Sequence, residues 1–353
     1  MAETKTASII THGASRLPSV EIDNYNIEIK DDDGFIGDRA SKRAFQTILD
    51  DLRKPLRKLK KDPFGDVPSA EISKKKLDAA FDSDDGDASG IIQGAVEEFG
   101  QQLAGVIKRF LKAKNWKDTE HIVVGGGMRD SKYGARAIGR AGVILKSDGI
   151  KVDLQPIRNH PDEAGLIGAV HLAPAWIFQA HDSILAVDIG GTNIRAGVVE
   201  LNTKKAPDMS KAAVWKKELW RHADDSPKRD EAVKKLAGML KKLIAAAEKE
   251  GFKPAPFIGI GCPGMIEPDG AIDRGAQNLP GNWESSKFNL PSELIEHIPT
   301  MGDHDTVVLM HNDAVVQGLS EVPFAQDFKH WGVLTIGTGL GNARFTNRSN
   351  GKD

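Results

Sequence analysis

The chain has almost no cysteine, almost no net charge and no long apolar run. One cysteine, Cys262, stands among 353 residues. That excludes a disulfide within this chain and any multi-cysteine zinc site, and it fits a reducing compartment. No structural zinc is expected, and a cytoplasmic location is. The 48 basic and 50 acidic side chains leave a formal charge of −2, which gives no reason to expect nucleic acid or a membrane surface as partner. No apolar run approaches the roughly 18 residues of a membrane span, and residues 1–17 lack the apolar core of a signal peptide. No repeat of solenoid period is visible. The composition, 40% hydrophobic and 28% charged, is that of a globular chain long enough for two lobes, each with its own core.

One stretch carries most of the information: Ile184 to Glu200, ILAVDIGGTNIRAGVVE. The apolar run 184–187 predicts a strand with Asp188 at its end. Gly190 and Gly191 lack a Cβ, so the backbone can turn sharply and come close to a ligand. From Arg195 to Val199 a second apolar strand resumes. A carboxylate at a strand end followed by Gly-Gly-Thr suits nucleotide phosphates and their magnesium. The glycines and Thr192 supply donors, and Asp188 can hold Mg²⁺ through water. Taken alone, the stretch is also open to an ordinary hairpin with an incidental aspartate.

The stretch resembles the first phosphate motif of the ROK family of sugar kinases, D-x-G-G-T-x-x-R-x-G, at Asp188, Gly190, Gly191, Thr192, Arg195 and Gly197. Gly337-Thr338-Gly339-Leu340-Gly341 is similar to that family's second phosphate motif. Asn312-Asp313-Ala314, with Gly318 and Glu321, resembles its catalytic segment, and Gly125-Gly126-Gly127 after Ile122-Val123-Val124 its adenosine motif. The resemblance implies an α/β, two-lobed actin-like ATPase (ribonuclease-H-like) fold. It implies glucokinase-like transfer of the γ-phosphoryl of ATP to a hydroxyl of a hexose or hexosamine, with ATP and Mg²⁺ as cofactors. Under it Gly190, Gly191, Thr192, Arg195, Gly337, Thr338 and Gly339 serve the phosphates, and Gly125, Gly126 and Gly127 lie near the adenosine. Asp188 organises Mg²⁺, and Asn278 (in GAQNLPGNW), Asn312 and Asp313 meet the sugar.

What departs from the family is the order of its motifs. The glycine triplet and the family's final helix come first here, and joining Asp353 to Met1 restores the family order. The chain therefore reads as circularly permuted, with 174–182 bridging the family's two termini and Asn350-Gly351 marking an opened hairpin turn. On that reading residues 1–160 and 313–353 make the large lobe and 161–312 the small one. A fragment whose site is completed by a second copy is the alternative, and a homodimer is one assembly open to the chain.

Periodicity predicts the elements around the motifs. Strands are expected at 7–11, 22–30, 121–124, 152–156, 184–187, 195–199, 212–220, 257–261, 307–310, 332–336 and 343–346. Helices are expected at 40–59, broken or kinked at Pro55, and at 72–81, 88–114, 133–142, 162–172, 229–250 and 314–321. The alternation is that of an α/β protein.

The residues themselves point to Asp313 as a general base. Phosphoryl transfer to a hydroxyl needs a positioned acceptor, a base beside it, magnesium, and donors for the equatorial oxygens. Asp313 follows a strand and opens a helix, where the helix N-terminus favours its carboxylate. A plain helix cap is the competing role. His311 is a rival base, expected to face away. Cys262 has no histidine partner to activate it and reads as a small strand-end residue.

Resemblance thins over the first hundred residues. Where the family carries E-x-G-H, this chain has Glu21-Ile22-Asp23-Asn24, so Glu21 keeps the sugar-contacting glutamate and Asn24 replaces the histidine. Asp31, Asp33 and Asp38 stand where the family's zinc cysteines would be; hard oxygen ligands would suit Ca²⁺ or Mg²⁺, and the bland alternative is a solvated acidic turn. These departures leave open a catalytically silent sugar sensor, and some members of the family use polyphosphate as donor. The family's repressors carry an added helix-turn-helix domain, for which this chain has no basic segment to spare. An actin-like filament ATPase would lack the N-D-A and N-L-P segments.

Overall fold

A computed structural model of the chain describes residues 11–348. The strand expected from residue 7 and the turn at Asn350-Gly351 lie outside the described residues. In chain order come β1 (Val20–Tyr25), β2 (Lys30–Asp31), β3 (Gly34–Phe35), α1 (Lys42–Lys58), α2 (Lys74–Phe81), α3 (Gly86–Lys112), β4 (His121–Gly125), α4 (Lys132–Ser147) and β5 (Asp153–Pro156). Next are α5 (Pro161–Gly168), β6 (Ser183–Ile189), β7 (Ile194–Glu200), β8 (Ala213–Trp220), α6 (His222–Asp225), α7 (Arg229–Lys249) and β9 (Pro254–Cys262). The chain closes with α8 (Leu290–His297), β10 (Thr300–Met301), β11 (His304–Asp305), β12 (Val307–Asn312), α9 (Asp313–Leu319), β13 (His330–Ile336) and β14 (Leu340–Asn347). It is an α/β protein with mixed sheets.

Contacts divide the chain into two compact units. The first takes residues 11–22 and 165–323, the second 23–164 and 324–348, so the boundaries fall inside β1, inside α5 and after Pro323. These boundaries differ from the lobe division expected at 160/161 and 312/313. Helix α9 packs on β9 and β12 and so stays with the strands that precede it. Residues 11–22 are tied to the same place: the Gly13 amide donates to the Met310 carbonyl, and the Met310 amide to His12 Nδ1.

In the first unit the sheet order is β12-β9-β6-β7-β8. Strands β12, β9 and β6 run parallel; β7 and β8 follow as an antiparallel meander. Period-2 alternation sets the two faces. Leu185, Val187, Ile258 and Ile260 join the core with Leu236 and Leu240 of α7. On the opposite face lie Ala186 and Asp188, and β9 offers Gly259 and Gly261 there. A methyl at Gly259 would meet Ala169, and one at Gly261 would meet Val316 of α9. Bare glycines let the segments 165–171 and α9 lie directly on the sheet.

The second unit is a sheet of order β1-β14-β13-β4-β5, with β13, β4 and β5 parallel and β13–β14 a hairpin. Its core is the apolar stripe of α3, from Ile92 and Phe99 to Phe110, packed with residues of α1, α4 and β4. Helix α1 begins where expected, with Ser41 Oγ accepting from the Ala44 amide. It does not break at Pro55. The carbonyl deprived of a donor is that of Asp51, which is exposed, as is Pro55 itself, so water can take its place.

Candidate functional site

In the first unit three parallel strands end together. Register pairs Asp188 with Gly261 and Asn312 with Cys262, so Asp188, Cys262 and Asn312-Asp313 gather at the carboxyl edge of β6, β9 and β12. That edge is where open α/β sheets bind ligands. Asp188 is buried and faces Arg195, its cross-strand partner in β7, with Nη1 donating to Oδ2 at 3.2 Å.

Capping assigns the Asn312-Asp313 pair. Asn312, fully buried, is the N-cap of α9: its Oδ1 accepts from the amides of Ala314 (3.0 Å) and Val315 (3.3 Å). Its Nδ2 donates to the Gly264 carbonyl and to Asp313 Oδ1, each at 3.1 Å. Asp313 is therefore the first residue of the helix and is relieved of capping. It is half-buried. Burial raises its pKa, the nearby Asp188 charge raises it further, and the two together outweigh hydrogen bonds from Asn312 and the backbone, to about 7. The thiol of Cys262, fully buried, is pushed well above its ordinary range by burial and then by Asp313 and Asp188. It stays protonated and unreactive.

His311 pairs with Gly261, which pairs with Asp188, so it lies on the Asp188 face of the sheet and not on the opposite face expected for it. Its Nε2 donates to the Ala14 carbonyl and its Nδ1 accepts from the Asn312 amide at 2.7 Å, so the ring is neutral. Burial lowers its pKa to about 4.

The turn after Asp188 is held from behind. His222 Nε2 donates to the Gly190 carbonyl at 2.8 Å, and the Ala223 amide reaches the Thr192 carbonyl at 3.3 Å. No sequence signal selects His222, which sits in a four-residue helix without periodic pattern. A Cβ at Gly191 would lie 2.9 Å from the Cβ of Asn278, whereas one at Gly190 would meet nothing closer than Asn193 O at 3.6 Å. Gly191 and Asn278, expected to serve phosphate and sugar, thus pack together and line one cavity of about 300 Å³ with His222, Ser226, Leu279 and Gly281. Trp283, fully buried, donates to the Pro280 carbonyl at 2.7 Å and fixes the N-L-P segment.

The second unit brings its two glycine turns together. Strands β4 and β13 are parallel and end in register, Gly125 beside Thr335. Gly126 has φ +87°, and a Cβ there would fall 2.3 Å from the Ile336 carbonyl oxygen, so only glycine fits. At Gly337, Gly339 and Gly127 a Cβ would meet no protein atom closer than 3.8 Å. Thr338 is exposed between Gly337 and Gly339. Neither backbone conformation nor crowding explains these glycines or Gly190. Space beside each is open, which leaves room for a ligand such as a nucleotide's phosphates to approach the backbone.

Both N-terminal sugar candidates lie on β1. Glu21 is exposed on β1. Asn24 donates to the Asn115 carbonyl at 2.9 Å and accepts from Trp116 Nε1 at 3.0 Å, a tie between β1 and the turn at 114–116. The acidic turn carries its own cation: Arg39 Nη2 bonds Asp31 at 2.8 Å and Asp33 at 2.9 Å. No metal-holding group of three His, Cys, Asp or Glu exists among the described residues, nor is any helix there long and apolar enough to cross a membrane.

No family model and no curated protein matches the chain. Among solved structures it is similar to a candidate sugar kinase from Cytophaga hutchinsonii ATCC 33406, with 20% identity and a TM-score of 0.35. The match covers 48% of this chain and 52% of that one, about half the length of each. A likeness of that degree establishes neither fold nor activity.

Proposed function

We propose that this chain is an ATP-dependent sugar kinase of the ROK type, with an actin-like fold in circularly permuted order. The observation that carries the reading is Asp313: half-buried beside Asp188, relieved of capping by Asn312 and tuned to about 7. A base with that pKa can accept a hydroxyl proton at neutral pH. Bound ATP supplies the phosphoryl group, and Mg²⁺ offsets its charge. Around them the chain's residues have separable tasks. Asn312 holds the Asp313 carboxylate by donating from Nδ2 to its Oδ1, and that carboxylate takes the proton of the sugar hydroxyl. Asp188 would hold magnesium through water. In the first unit the open turn at Gly190, with Thr192 and Arg195, would offer backbone donors to phosphate; in the second, the Gly337–Gly339 turn, with Thr338, would serve phosphate and the Gly125–Gly127 turn the adenosine. Asn278, at the Gly191 cavity, meets the sugar, and the amide of Asn278 with the hydroxyl of Ser226 suits a polyol. The motif order, with the adenosine segment first, supports the permutation.

A second reading, a catalytically silent sugar-binding protein, is favoured by one observation: Asn24, which replaces the family's histidine, has its amide engaged by Asn115 and Trp116. A coupled ADP-release screen over hexoses and hexosamines, run beside calorimetric sugar binding, separates the two. Turnover that Asp313→Asn abolishes supports the kinase. Sugar binding with no phosphorylation from either ATP or polyphosphate supports the silent protein.

A further inference from the structure

Helix α5 meets Asp188 through a glycine that the kinase reading leaves unused. A Cβ built on Gly165 would fall 2.6 Å from both Cγ and Oδ1 of Asp188 and 3.0 Å from its Cβ. Carbon atoms normally approach to about 3.5–4.0 Å. The backbone of α5 is thus one wall of the Asp188 carboxylate. The carboxylate has little room to withdraw: its side chain is 4% exposed, with Arg195 across the strand pair and Gly261 of β9 alongside. Gly165 does not have the positive φ that would itself require glycine. Glycine inside a helix is destabilising relative to alanine, so here the missing side chain answers to its neighbour. Gly139, inside α4, is the contrast, since a Cβ there meets nothing within 4 Å.

We propose that Gly165 is a positioning residue whose bare Cα sets the place of the Asp188 carboxylate. The placement stands on geometry alone; its consequence, that Gly165 governs how Asp188 organises magnesium, rests on the kinase reading.

A thermal cycle tests the placement. Gly165→Ala is made in the natural chain and in an Asp188→Gly chain, with Gly139→Ala as the control for helix propensity. The three atoms nearest to the new methyl all belong to the Asp188 side chain. Gly165→Ala is therefore expected to lower Tm clearly in the natural chain and to leave it unchanged or raised beside Asp188→Gly, as Gly139→Ala does. If Gly165→Ala alone does not fold, folding of the double variant is the same result. An equal loss in both backgrounds, or a double variant that also fails to fold while Asp188→Gly folds, overturns the proposal. The consequence is read from kinetics: the Mg²⁺ concentration for half-maximal rate should rise about tenfold or more in Gly165→Ala, with the KM for sugar little changed. An unaltered Mg²⁺ dependence overturns that consequence. A natural chain that phosphorylates no sugar sinks the kinase reading, and the thermal cycle still decides the placement.

Discussion

Asp313 works against its own charge. Burial, and then the neighbouring Asp188, hold its proton up to about 7, where an ordinary aspartate has lost it near 3.8. Between those values the folded chain keeps a proton that the unfolded chain releases. The resulting stability is complete below about pH 4 and is lost as pH rises through about 7. Asp313→Asn removes this dependence, so its Tm should match the natural chain near pH 4 and exceed it by a few degrees at pH 8. Differential scanning calorimetry at both pH values checks this, and a variant less stable at pH 8 would contradict it. The same pKa makes kcat/KM fall about tenfold per pH unit below 7 and level off above it. Asp313→Asn should lower turnover about 10²–10⁴-fold while sugar binding persists. A variant that turns over normally would return Asp313 to a purely structural role.

At the scale of elements, the turn between β6 and β7 divides its glycines by task. Gly191 is backed by Asn278, so a branched residue there disturbs the N-L-P segment as well as any phosphate. Gly190 is open, and Gly190→Ala should weaken ATP binding while leaving Tm within about a degree. Retained ATP affinity in a titration would remove this turn from the nucleotide site. His222 holds the same turn by one hydrogen bond to Gly190. His222→Ala should raise the KM for ATP and leave the KM for sugar near its original value; a rise in the sugar KM alone would argue that His222 serves the cavity instead. Helix α9 depends on its cap in the same manner: Asn312→Ala should cost about 1 kcal/mol of stability and also release the Asp313 carboxylate.

For the whole molecule the permutation is the claim to test. If one chain supplies every motif, mixing a chain disabled by Asp313→Asn with one disabled by Gly127→Val should restore nothing, since each chain carries a defect. Recovery of activity on mixing would show that copies share motifs, and would leave the motif assignments standing. Gly127 is the better choice than Gly126 for this experiment, because a Cβ at Gly126 strikes the Ile336 backbone and would damage the fold.

The sequence by itself determined the elements and the turns. Apolar runs located strands at 184–187 and 332–336, the stripe from Ile92 to Phe110 located α3, and the glycine clusters marked the turns after β4, β6 and β13. These signals are local, because side-chain period and backbone freedom act over a few residues. Tertiary structure decided the rest. Asn312 and Asp313 are adjacent and chemically similar, and only the position of the α9 amides showed which one caps. Glycines that look alike in sequence proved different: Gly126 and Gly191 are demanded by Ile336 and Asn278, while Gly190 and Gly339 are not demanded by any protein atom. Helix α9 went with β9 and β12 because it packs on them. Gly165 lies 23 positions before Asp188, and their contact follows from α5 lying on the sheet, which no local pattern encodes.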